Sequence, residues 1–232
     1  MAVTASTLLP KQHGRKRRYY TADEVSAHNA GDDAWVSIFG RVFDLTHLIA
    51  DHRGVLTAAI VANAGRDLSH WFDAATQDVK RRYDADRDVF APYVPMGRFL
   101  HVPPAAPSAD HATDFGVAWW NDAQFIIGKL SLKVRKLRVV NTLTAQSDVL
   151  HVCCEETLEE IQTRYSEFNA HAKSYTWKQL TAENGFEAMD MTNTLEECGL
   201  LDESAEFERL GIDEDAHVAT VHVYFNDDLT YS

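Results

Sequence analysis

The sequence predicts an α+β protein built as two domains. Three observations carry that prediction: strand-like runs joined by tight turns, helix starts marked by capping boxes, and a proline-bearing connection near the middle of the 232 residues. A chain of this length lets each half bury a core of its own.

The first ten residues show no hydrophobic periodicity and the basic run Lys11 to Arg18 follows, so residues 1–18 are expected to be a disordered basic arm. Thr21 with Glu24 three places on is a capping box, so a short helix should run toward Asn29 and Gly31. Trp35–Ile38 and Arg41–Asp44 read as strands turned back across Phe39-Gly40. Thr46 is placed to cap a helical turn carrying His47 to Ala50, which delivers the chain into His52-Arg53-Gly54. Helical pattern resumes over Leu56–Ala62, and again over Leu68–Ala75 with Asp67 as N-cap. The first domain is expected to span residues 19–102.

Pro103, Pro104 and Pro107 mark residues 103–127 as a stiff linker. Trp119 and Trp120 within it carry too much aromatic area for solvent; they either pack onto a domain or anchor in a partner's pocket. From residue 128 a second domain is expected. Leu137–Leu143 and Val149–Cys153 alternate as strands around Thr144–Ser147, and Leu158, Ile161, Tyr165 and Phe168 then recur at helical spacing. Thr194-Leu-Glu-Glu197 is a further capping box, closed by Gly199, and Val218–Phe225 is a final strand.

The formal charge of -13 is unevenly spread. Residues 1–104 carry 13 Lys and Arg against 12 Asp and Glu, whereas residues 139–232 carry 4 against 20. So acidic a second half argues against nucleic acid as its partner. The basic stretch Lys129 to Arg138 is either a solvated strand face or a surface steering an acidic protein. No window reaches the roughly 20 apolar residues that cross a bilayer, nor is there a secretory-type apolar run, so a soluble, intracellular protein without membrane contact is expected. Cys153, Cys154 and Cys198 are expected to be reduced thiols, since they are odd in number and two are adjacent. Dinucleotide, Walker, C-x-x-C and H-E-x-x-H motifs are all missing, and a non-enzymatic role is expected.

The succession Y-Y-T-A-D-E-V, W-V-S-I-F-G-R-V-F-D-L-T, D-H-R-G-V and N-A-G-R-D-L-S-H-W-F-D resembles the cytochrome b5 haem-binding domain. The resemblance implies one haem b held between two histidines, the first in a His-Pro-Gly-Gly turn. Here that turn reads His52-Arg53-Gly54-Val55, which makes His52 the candidate axial ligand. At the second position the family's histidine is replaced by Gln77, and an amide is a poor ligand for haem iron. The nearest imidazole is His70, seven residues earlier and on the same face if the helix continues, so His70 is the second candidate iron ligand. Tyr83 and Met96 are more remote ones. A single imidazole would leave iron with an incomplete axial set and an affinity sensitive to oxidation state, which suits sensing better than electron shuttling.

The second half, with T-L-E-E-C-G-L before a terminal strand, resembles ubiquitin-like β-grasp domains but lacks a terminal diglycine. Together with S-H-W-F-D, H-V-P-P and Y-F-N-D-D-L-T, the chain is similar to a cytochrome b5 domain-containing family of ciliary proteins. That similarity implies a place in the cilium or flagellum, in the axonemal radial spoke stalk, with radial spoke subunits as partners and a role in coordinating beating through a redox-dependent haem. Two other readings stand beside it: a purely structural adaptor that keeps the haem fold for docking, and a b5-type electron carrier.

Overall fold

The computed structural model describes residues 18–104, 106, 114–181, 183, 185–213 and 216–225. Of the basic arm expected at 1–18 only Arg18 lies among them, and Pro107 falls outside them. The chain divides into two compact units, residues 1–130 and 131–232.

The first unit begins with β1 (Tyr19–Tyr20) and α1 (Ala22–Ala27), whose capping box forms as the sequence predicts. The Glu24 amide donates to Thr21 Oγ1 at 3.1 Å, and the Thr21 amide donates to Glu24 Oε2 at 2.8 Å. Then come β2 (Asn29–Ala30), β3 (Asp33–Ile38), β4 (Arg41–Asp44), α2 (Thr46–Asp51), α3 (Val55–Val61), the hairpin β5 (Arg81–Asp84) and β6 (Val89–Pro92), and β7 (Ile126–Leu130). The main sheet is ordered β1-β7-β4-β3-β2, with β1 parallel to β7. Strand β3 is buried on both faces. Ala34, Val36 and Ile38 enter the large core, while Trp35 packs with Tyr20, Val25 and Val42 on the other side, the alternation expected of a strand covered twice.

The predicted boundaries change at the linker. Residues 126–130 pair with β4 and β1 rather than opening the second domain, so the first unit runs to residue 130 instead of 102. The close approach of β1 requires Gly128, where a Cβ would lie 2.6 Å from the Tyr20 ring and 2.8 Å from the Arg18 carbonyl oxygen. Trp119 and Trp120 are buried in the first unit's core against Phe72 and Phe99, so they pack rather than wait for a partner.

The helix expected over Leu68–Ala75 shrinks to a 3-10 turn at Ser69–Trp71. Asp67 is not its N-cap, which is Leu68 without a side-chain cap bond; Asp67 accepts the Ser69 amide, and Asp73 then accepts from the Ala75 and Thr76 amides, bending the backbone away from helix. Thr46 does not cap α2 through its hydroxyl, which instead accepts from the Ala34 amide and ties the helix to β3.

In the second unit β8 (Val134–Asn141) and β9 (Gln146–Cys153) form the expected hairpin, followed by α4 (Leu158–Tyr165), β10 (Tyr175–Thr181), β11 (Gly185–Ala188), α5 (Ser204–Leu210) and β12 (Ala219–Phe225). The sheet order is β11-β10-β12-β8-β9, with β12 parallel to β8 and the other pairs antiparallel. Leu158, Ile161 and Tyr165 meet Leu137, Val139, Val221 and Val223 in one core. Phe168 lies past the end of α4 and is half-exposed, unlike the core role its spacing predicts. Cys153 points inward and is fully buried, while Cys154 is partly exposed.

Candidate functional site

His52 sits at the C-terminal end of α2, where its amide donates to the Leu48 carbonyl. Its ring is exposed, with no hydrogen bond to it among the described residues. The turn that carries it is held from below by Thr57, which the sequence reading passed over. Buried Thr57 Oγ1 reaches the Gly54 carbonyl at 3.0 Å and the His52 carbonyl at 3.4 Å. A Cβ at Gly54 would meet nothing within 4 Å, and Val55 beside it is 87% exposed, so the turn faces open space with an apolar side chain at its edge.

Near enough to His52 to feel its charge is His101, a second residue missed from sequence. The Leu100 amide donates to the Leu56 carbonyl at 3.0 Å, which brings the segment against the start of α3. The His101 ring stacks on Phe115 at 4.2 Å, and its Nδ1 accepts the Trp119 amide at 3.0 Å. Burial and the neighbouring His52 push its pKa below the ordinary imidazole value, against a smaller opposing pull from Asp122. An imidazole that accepts through Nδ1 carries its proton on Nε2, so His101 is committed as a neutral acceptor and is not a metal donor in this arrangement.

Gln77 is likewise committed. Its Oε1 accepts from Arg41 at 2.8 Å and its Nε2 donates to the Ala74 carbonyl at 2.8 Å, on a backbone with φ of 57°. His70 is exposed on the 3-10 turn, edge-on to Trp71. With no helix running on to residue 77, the face it was expected to share with Gln77 does not exist, and no described contact joins it to His52. Tyr83 donates to Asp88 out on the β5–β6 hairpin, and Met96 packs at the core edge. No cluster of three or more metal-ligating side chains occurs among the described residues, and none of the described helices is long and apolar enough to cross a membrane.

The donor set therefore fits haem in one respect and not in another. One uncommitted imidazole faces open, partly apolar space, whereas the family's second ligand position holds an amide already bonded within the protein. One axial bond from the chain fits; a bis-histidine pair does not.

Comparison with known proteins identifies the domain in the first unit. The family described as "Cytochrome b5-like Heme/Steroid binding domain" matches residues 21–130, which takes in β7 as the structure does. "Cytochrome b5 domain-containing protein 1" of Xenopus laevis is 49% identical over 92% of this chain and 96% of its own length. The protein of that name in Homo sapiens is 45% identical over 93% of this chain and 92% of its own. Among solved structures, a cytochrome b5 of Ostreococcus tauri virus 2 is 38% identical over 22% of this chain and 62% of that chain, with a TM-score of 0.20.

Proposed function

Because the chain belongs to the family of cytochrome b5 domain-containing protein 1, we propose that it is a non-enzymatic component of the ciliary axoneme that binds haem through His52 and responds to redox state. The observation carrying this reading is the exposed, uncommitted His52 imidazole at the family's ligand turn. Bound there, haem would supply a one-electron couple whose affinity for a single protein ligand differs between its two oxidation states. Thr57 holds the turn so that His52 faces outward, and Val55 offers apolar surface beside it. His101, kept neutral, adds no charge near His52. We place the protein among radial spoke subunits as the family resemblance implies, and read the second unit as a β-grasp, ubiquitin-like docking module. The strand order β11-β10-β12-β8-β9, with a central parallel pair and α4 crossing after the first hairpin, supports that reading.

A structural adaptor is the second reading, favoured by the commitment of Gln77 to Arg41 and by the tryptophan-filled core. The same hydrogen bond counts against a b5-type electron carrier, which needs an axial set that stays constant. Expressing His52→Ala and a chain ending at residue 130 in ciliated cells separates the readings. The haem sensor predicts that His52→Ala stays in the axoneme while beating loses coordination. Normal beating with His52→Ala would overturn it and leave the adaptor.

A further inference from the structure

The second unit contains a groove that neither the family nor the haem reading uses. It is a half-open cavity of about 600 Å³ beside the sheet, between β8, β9 and β12 on one side and the segment 199–207 on the other. Its size is in the range of ligand sites, and its lining mixes apolar Leu180, Leu201 and Phe207 with basic Arg135, with His222 and with the carboxylates Asp202 and Glu203.

Two features give it a sign. Of the 8 Lys and Arg within residues 131–232, 4 lie in 133–138, against 20 Asp and Glu spread over the remainder. Lys133, Arg135 and Lys136 thus outnumber the carboxylates that line the groove, Asp202 and Glu203, on an otherwise acidic unit. Arg135 is the distinctive member. Its Nη1 donates to the Leu200 carbonyl at 2.7 Å, its Nε is buried with no partner, and no carboxylate among the described residues pairs with it. Lys133 differs, being paired with Asp202 at 2.8 Å. Nδ1 of His222 is also buried without a partner. Nη2 of Arg135, which is not among the buried atoms, has no hydrogen bond among the described residues and is the donor that a carboxylate in the groove can meet with charge assistance.

We propose that this groove binds an acidic segment of a partner protein, with one carboxylate on Arg135 Nη2 and an apolar side chain against Leu180 and Leu201. The half-open mouth and the exposed apolar rim, Leu180 at 65% and Leu201 at 63%, suit a peptide rather than a small free anion. The excess of Asp and Glu over Lys and Arg in residues 139–232 disfavours the same peptide on the rest of the unit. The proposal deepens the docking role read for the second unit and is independent of haem.

The test is fluorescence polarisation of the full chain with a fluorescein-labelled peptide of alternating Glu and Leu, alongside its Lys-Leu counterpart. Saturable binding of the Glu-Leu peptide alone is expected. Arg135→Gln should weaken it about tenfold, the order set by losing a charge-assisted hydrogen bond. Leu180→Glu, at an exposed position whose replacement leaves the core untouched, should weaken it comparably by repulsion. Equal affinity in wild type and both variants would overturn the proposal, as would displacement by inorganic phosphate as effective as by unlabelled peptide, which would make the groove a small-anion site. Failure of peptide binding with a normal haem titration would leave the His52 reading standing.

Discussion

Arg41 donates through Nη2 to Oε1 of Gln77 at 2.8 Å, tying β4 to the turn that follows Phe72. This bond occupies the side chain that the resemblance to the b5 family sets at its second ligand position. On the proposed reading it serves as a structural tie, and His52 is the imidazole left to bind.

Gln77→Ala should therefore leave haem affinity within about twofold of wild type, since an amide supplies no axial bond. A loss of binding in a haem titration of this variant would mean that Gln77 contributes directly to the site.

His101 gives a pH dependence with a defined sign. Its folded-state pKa lies below the ordinary 6.5, so the unfolded chain takes up a proton first as pH falls. The stability it contributes is complete above about pH 6.5 and is lost as pH drops through the folded-state value. His101→Asn keeps an acceptor for the Trp119 amide and suits the local φ of 70°, yet does not titrate. Melting temperatures measured from pH 7.5 to 5 should fall less steeply in the variant; parallel curves would exclude the His101 contribution.

At Gly128, replacement by alanine should destabilise the first unit by about 1–3 kcal/mol, because the new methyl meets the Tyr20 ring and the Arg18 carbonyl. Chemical denaturation followed by tryptophan fluorescence reads this out. An unchanged midpoint would show that β1 is free to move aside.

In the second unit the buried pair Glu156 and Arg164 meets at 2.7 Å, and Glu156 also accepts the Cys153 amide at 3.0 Å. Glu156→Ala leaves a guanidinium buried without that partner and should cost about 3–5 kcal/mol in urea unfolding. A cost below 1 kcal/mol would mean that water or another group replaces the carboxylate.

Much of this was legible in the sequence where the signal is local. The Thr21 and Glu24 box, the β3–β4 hairpin and the apolar spacing of α4 each rest on neighbours a few residues apart, and each forms. What stayed hidden depends on distant pairing. Strand β7 reads as linker until its partners β4 and β1 are known, and His101 is unremarkable until the chain returns to place Phe115 and Trp119 against it. The helix beyond Asp67 failed for the opposite reason, since Asp73 offers the backbone a competing turn. At the candidate site, the exposed turn at His52 was readable as a turn, whereas the capture of Gln77 by Arg41 was not.

The most direct test is the absorption spectrum of the full chain titrated with haem, ferric and ferrous, for wild type, His52→Ala and His70→Ala. A single protein ligand predicts a saturable Soret band that changes with oxidation state, disappears in His52→Ala and persists in His70→Ala. A low-spin bis-histidine spectrum, or a band unaffected by His52→Ala in folded protein, would contradict it.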